Sequence, residues 1–315
     1  MSAPAVALLK APFPYFGGKR RAASLVWEAL GPVDHYVEPF CGSAAVLLAR
    51  PDAPRCETVN DLDGMVANFW RAVKHHPAEV AAWCDWPVNE VDLHARHLWL
   101  IGQRESLTER LIADPEWCDP KAAGWWVWGA CAWIGTGWCS QPSRQLPHLS
   151  RPGQGVSAVE FRGNNGLQEL LARLSERLRH TRIASGDWSR IVTPTVLFQP
   201  APGVVGVYLD PPYSEGSQDY AVGGTGTSLS AEVRAWCEKH GSNPRLRIVL
   251  SGYAGEHDTL EAHGWRVEEW KANGGHSNAS NDKKANNAVR ERLWLSPACV
   301  GSRQRSIFDV IGGAR

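Results

Sequence analysis

Asp210, Pro211, Pro212 and Tyr213 follow the apolar run 204–209, so a carboxylate and an aromatic ring bracket two residues that have no N–H to donate. The backbone there offers carbonyl acceptors only, and Asp210 adds a further acceptor. A stiff set of acceptors beside a ring suits a flat ligand with an exocyclic amino group. The acceptors take the amino hydrogens and the ring stacks on the ligand's face. A plain strand running into a proline turn with a capping aspartate would use the same residue types.

Two further stretches have chemistry of the same kind. In VEPFCGSAAV (37–46) a strand ends on Glu38 and turns through Gly42 toward a helix, an arrangement suited to a nucleoside. Asp61 closes the next strand, 23 residues after Glu38, where an acid commonly holds ribose hydroxyls. In PYFGGKRR (14–21) the Gly17-Gly18 pair permits close backbone approach, flanked by Tyr15 and Lys19. By itself this last stretch reads equally well as a glycine loop with surface basic residues.

The elements that must position these residues alternate. RRAASLVWEAL (20–30) reads as a helix stopped by Gly31-Pro32, HYVEPF (35–40) as a buried strand, GSAAVLLAR (42–50) as a helix with Ser43 as its cap, and CETVND (56–61) as a second strand. Leu62, Val66, Phe69 and Val73 share one face of the helix that follows. Such an order starts a doubly wound sheet. From residue 76 the alternation stops, and nine of the sixteen tryptophans fall between Trp83 and Trp138. Most of these read as the core of an inserted segment. A leucine stripe, Leu167, Leu170, Leu171, Leu174 and Leu178, restores a helix. Strands are then expected at TVLFQ (195–199), VVGVYLD (204–210) and LRIVLSGY (246–253), a helix at 230–241, and a closing antiparallel pair at 265–272 and 291–296. The chain therefore divides into a discontinuous α/β domain, 1–75 and 183–300, an insertion, 76–182, and a tail, 301–315.

Taken together and in order, FGGK, VEPFCGS, ND-LD, an insertion and DPPY resemble the Dam-type family of S-adenosylmethionine-dependent DNA adenine N6-methyltransferases, over residues 12–75 and 183–296. The resemblance implies a Rossmann-like methyltransferase sheet, mostly parallel with an antiparallel closing strand, interrupted by a mostly helical target-recognition insertion. It implies cofactor contacts from Tyr15, Phe16, Gly17, Gly18, Lys19, Glu38, Phe40, Cys41, Gly42, Asp61, Leu62 and Asp210. Asp210, Pro211, Pro212 and Tyr213 become the residues that hold and stack a flipped adenine, and VLSGY (249–253) a motif lining the same pocket. Cys41 is a small packed residue on this reading and no nucleophile is required. Two departures stand out. Ala44 occupies a turn position where the family commonly has glycine, and fits there if its φ is negative. The insertion differs from the family's GATC-reading segment, so the recognition sequence stays open, as do cytosine N4, RNA and non-catalytic alternatives.

Charge and composition set the remaining expectations. The chain of 315 residues is formally neutral, with 43% apolar residues. Residues 84–120 carry three basic and eight acidic side chains, whereas residues 121–182 carry eight basic and three acidic. A neutral protein that binds a polyanion must segregate its charge. Arg144, Arg151, Arg162, Lys283 and Lys284 are accordingly the candidate contacts to double-stranded DNA, with Arg173, Arg177 and Arg179 on the leucine-striped helix beside them. The eight cysteines form no CxxC pair, which points to free thiols, no structural metal and a cytoplasmic protein. No signal peptide or membrane span is expected, and a cognate restriction endonuclease is a candidate partner.

Overall fold

The computed structural model describes residues 9–14, 19, 22–53, 55–134, 137–140, 166–213, 226–270 and 291–300. Among these residues the strands are β1 (His35–Glu38), β2 (Cys56–Asp61), β3 (Thr181–Ser185), β4 (Val205–Leu209), β5 (Leu246–Tyr253), β6 (Arg266–Glu269) and β7 (Glu291–Leu295). They form one sheet in the order β3-β2-β1-β4-β5-β7-β6. The first five strands of that order run parallel, and β7 is antiparallel to both β5 and β6. This is the expected Rossmann-like α/β arrangement. β1 and β4 are buried along their whole length, as strands covered on both faces by helices must be.

The helices are α1 (Ala22–Leu30), α2 (Ala45–Leu48), α3 (Gly64–His75), α4 (Pro77–Cys84), α5 (Glu90–Ala113), α6 (Pro120–Ala132), α7 (Gly166–Arg177), α8 (Pro194–Phe198) and α9 (Gly226–His240). Side-chain caps start several of them. Asp63 accepts from Met65 N on α3, Asn89 from Asp92 N on α5, and Asp119 from Ala122 N on α6. α4, α5, α6 and α7 pack against one another and on α3. One buried cluster runs through Tyr36, Val46, Phe69, Trp70, Leu100, Trp126, Trp128 and Leu171, so the helices of 76–182 share the core of the sheet's helical layer. Phe13 anchors the N-terminal strand of chain in this cluster, edge-on to Phe69 and Trp126 at 5.1 and 5.0 Å between ring centroids.

Four local expectations are corrected. The helix read at 42–50 is the single turn α2, and Ser43 is not its cap. Ala44 occupies that position with φ 52°, in the left-handed region, and makes no side-chain cap bond. Gly42, two residues earlier in the same turn, is left-handed as well, with φ 44°, and an alanine in that region costs about 1–2 kcal/mol. Glu38 supplies the missing acceptor instead, taking the N–H of Leu47 at 3.2 Å. Residues 195–199 are helical, not a strand, because Thr193 and Pro194 start a helix that β-branched and aromatic residues then tolerate. Leu62 precedes α3 and is 41% exposed, so it is no part of the apolar face of Val66, Phe69 and Val73. β3, which pairs in parallel with β2, had no clear pattern in the sequence, since only its ends are buried.

Arg177 is also reassigned. It reaches from α7 to Glu57, which is fully buried on β2, at 2.6 and 2.9 Å, and donates to the Leu47 carbonyl. Arg50 and Thr181 complete the shell of Glu57 at 3.2 and 2.7 Å. This arginine is a structural strut and is not available to a phosphate. Replacing Glu57 by alanine strands two buried guanidinium groups and is expected to destabilise the fold by about 3–5 kcal/mol, measured by urea denaturation.

Candidate active site

From β1 the chain moves outward through β2 to β3, then crosses back from β3 to β4 on the other side of β1, so the strand order reverses between β1 and β4. A crevice opens at such a reversal, outside the carboxyl ends of the strands. Register places those ends together: Glu38 of β1 lies beside Val59 of β2, and Val37 beside Val207 of β4. Glu38, Asp61 and Asp210 thus stand at the ends of three adjacent strands, although 149 positions separate the last two.

Backbone hydrogen bonds knit the β1 and β2 ends into one unit. The Asp61 carboxylate accepts Gly42 N at one oxygen and Asp63 N at the other, both at 2.9 Å. Trp70 of α3 donates its indole N–H to the Gly42 carbonyl at 2.8 Å. Asn60 spans the Pro39 and Gly186 carbonyls at 3.0 and 2.9 Å. Burial, aided by the neighbouring Asp63 carboxylate, raises Asp61 to a pKa of about 7 against the pull of its two N–H donors. Glu38 accepts from the Tyr36 hydroxyl at 3.0 Å as well as from Leu47 N. Burial raises it to about 8, and Asp210 adds to the rise.

At the β4 end a single ammonium organises the site. Lys19 Nζ lies 3.2 Å from Asp210 Oδ1 and 3.2 Å from Glu291 Oε2, and donates to the Tyr213 hydroxyl. Tyr213 passes the bond on to Asp210 Oδ1 at 3.2 Å. The ammonium also sits over the Tyr213 ring, 4.6 Å from its centroid, with Trp270 at 5.8 Å. Burial alone would lower the Lys19 pKa, but Asp210 and Glu291 together outweigh it and raise it. Burial pushes Asp210 and Glu291 upward, and the shared ammonium opposes the rise in each. Tyr253, beside Glu291 in the β5–β7 register, packs edge-on to Tyr213 at 4.6 Å.

Of the residues singled out in the sequence, the structure brings Lys19, Asp210 and Tyr213 into direct contact and joins Gly42 to Asp61. Pro211 is buried and Pro212 half-buried beside them. Cys41 is buried and its thiol is pushed far up by burial, as a packed residue's would be. Phe40 turns to the other face of the sheet and stacks on Trp188, with centroids 6.0 Å apart. Leu62 is exposed. Tyr15, Phe16, Gly17 and Gly18, and the candidate DNA contacts Arg144, Arg151, Arg162, Lys283 and Lys284, lie outside the described residues. Sequence reasoning missed Glu291 and Asp63. Glu291 had one usable signal, an acid opening a closing strand that is apolar from Leu293 on. Among the described residues no cluster of three potential metal ligands occurs, and no helix is long and apolar enough to cross a membrane.

The family model for the D12 class of N6 adenine-specific DNA methyltransferases matches residues 15–86, from Tyr15 to the chain just past α4. No curated protein matches the chain.

The raised carboxyls give the ligand-free protein a pH signature. Glu38 and Asp61 titrate at about 8 and about 7 when folded, against ordinary values of 4.5 and 3.8. Between those limits the folded protein retains protons that the unfolded chain has released, so stability is lost as pH rises. The melting temperature should fall between pH 4.5 and 8, and Glu38→Gln should flatten part of that fall in a thermal-melt series.

Proposed function

We propose that this adenine-specific DNA methyltransferase, so identified by the match of its residues 15–86 to the D12 class, moves a methyl group from S-adenosylmethionine to N6 of a flipped adenine in a specific duplex sequence. The observation that carries the reading is the state of Asp210: one carboxylate oxygen is fixed by Lys19 and Tyr213 at the end of β4, in the crevice that Glu38 and Asp61 share.

The residues fit the methyl donor. Asp210 and Glu291 face one ammonium, Lys19, and this excess of acid favours a cationic sulfonium nearby. Asp61, pinned through both oxygens to the Gly42 turn and to Asp63, is rigid enough to accept from ribose hydroxyls. Glu38, Gly42, Asp61 and Lys19 would line the donor, with Tyr15, Phe16, Gly17 and Gly18 completing the turn. When bound, the donor supplies an electrophilic methyl with a neutral thioether as leaving group.

Asp210 and the Pro211 carbonyl are positioned to accept the two amino hydrogens. Adenine N6 is a weak nucleophile because its lone pair is delocalised into the ring. Hydrogen bonds to these acceptors favour the pyramidal nitrogen in which the lone pair is free to attack. Acceptors already fixed in place do this without reorganisation, an effect on the order of 3–4 kcal/mol per group. As the N–C bond forms the S–C bond breaks, and the proton then lost from N6 passes to Asp210 or to solvent. Tyr213 stacks on the base, which offsets about 1–3 kcal/mol of the cost of flipping.

On this reading residues 76–182 read the DNA, as an insertion in a catalytic unit formed by 1–75 and 183–300. Arg144, Arg151, Arg162, Lys283 and Lys284 contact it, and 301–315 form a tail. The protein works in the cytoplasm, with a restriction endonuclease as candidate partner.

Transfer from radiolabelled S-adenosylmethionine to unmodified genomic DNA, followed by nucleoside analysis, tests the chemistry. Asp210→Asn should lower kcat by about 100- to 1000-fold with the melting temperature and donor affinity little changed. Turnover at the wild-type rate would refute the role of Asp210. Methylcytosine in place of N6-methyladenine would refute the assigned base. Separately, an Arg144→Ala, Arg151→Ala double variant should weaken duplex binding and flatten its salt dependence while donor affinity is retained.

A further inference from the structure

Arg104 lies in the middle of α5, outside every motif of the sequence. Its guanidinium donates to Asp63 Oδ1 at 2.9 Å and to the Cys139 carbonyl at 3.1 Å. The same Asp63 oxygen caps α3 by accepting Met65 N at 2.9 Å, and the Asp63 N–H holds Asp61 Oδ1 at 2.9 Å. Two close approaches make the contact possible. Gly64 lies so near α5 that a Cβ there would stand 2.3 Å from Thr108 Oγ1, one turn beyond Arg104. Cys139 holds a left-handed backbone, φ 58°, with its N–H on His97 Nδ1 at 3.2 Å, so its carbonyl turns to Arg104. The remaining Arg104 nitrogen, Nη2, is buried with no partner among the described residues.

We propose that Arg104 is a positioning residue for the methyl-donor site: by gripping Asp63 it fixes the Asp61 carboxylate in place and offsets the negative charge beside it. This rests on the reading that Asp61 holds the donor's ribose. Charges facing Asp61 come from a few groups only. Asp63 is on its own loop, Glu38 and Cys41 follow from β1, and Arg104 reaches in from α5. On the β3 side Ser185 is its register partner, and Arg190 is spent on the Ser185 carbonyl at 3.0 Å. Asp63 disfavours the ionised form of Asp61, so loss of its counter-ion must make that form harder to reach, and loss of Asp63 itself must make it easier.

The test is the affinity of the full-length protein for S-adenosylmethionine, measured by calorimetry from pH 5.5 to 9. Wild type should bind more weakly on the acid side, and Asp61→Asn should abolish that limb. Arg104→Ala should move the limb up by roughly half to one pH unit, and weaken binding near neutral pH by roughly three- to tenfold. Arg104→Lys should restore the limb. Asp63→Asn, which keeps a good α3 cap and the backbone donor, should move the limb down and so tests the coupling independently of how well the arginine variants fold. A limb unmoved in Arg104→Ala, or moved the same way in Arg104→Ala and Asp63→Asn, would overturn the coupling while leaving Asp61 as the ribose acid. An Asp61→Asn variant with wild-type affinity and an intact limb would instead show that Asp61 is not that acid, and the proposal would fall with that reading.

Discussion

Lys19, a single buried ammonium shared by Asp210 and Glu291, is the interaction on which the site depends. Two carboxylates cannot both stay ionised so close together in a poorly solvated place without a cation between them. The lysine is therefore needed at the end of a short, irregular piece of chain, and the fold delivers it there. Phe13, wedged between Phe69 and Trp126, anchors the chain a few residues before Lys19. Glu291 reaches the lysine from β7, the strand inserted between β5 and β6. Three regions remote in sequence thus meet at one charge, and each would be less well placed without the other two.

A second buried acid meets a similar problem differently. Glu57 is buried in the middle of the helical layer and has four donors around it, from Arg50, Arg177 and Thr181. The two networks differ in what they leave unpaired. Around Glu57 the charge is saturated, which suits a strut between β2 and α7. Around Lys19 the acids outnumber the cation, which leaves room for a further positive charge. Burial shows the same contrast at Glu38 and Asp61. Glu38 accepts from the Tyr36 hydroxyl and Leu47 N, and Asp61 from two backbone N–H groups, yet burial lifts them to about 8 and about 7.

Packing explains why the tryptophan-rich helices stay with the sheet. α4, α5, α6 and α7 have no separate core, since Trp126, Trp128 and Leu100 belong to the same buried cluster as Tyr36 and Val46. Trp70 connects this layer to the site directly, through its bond to the Gly42 carbonyl. Rigidity of the turn that follows β1 is thus supplied from the helical side. Arg104 extends the same logic one helix further out.

Much of the fold was legible in the sequence because its signals are local. CETVND and LRIVLSGY coincide with β2 and β5, since a buried strand must be a short run of apolar or β-branched residues bounded by turn formers. Asp210, Tyr213, Glu38 and Asp61 were legible for a related reason: strand ends carry ligands, and acids there are unusual enough to notice. Tertiary structure alone decided the rest. Ala44 takes a left-handed backbone in the turn between β1 and α2, although local preference opposes it. Residues 195–199 are helical because Thr193 and Pro194 outweigh the side chains that follow. Glu291, Asp63 and Arg104 gave no periodic signal at all. Their roles come from which charges burial forces to share a partner, and that depends on chain segments brought together only by the closed sheet and the helices packed on it.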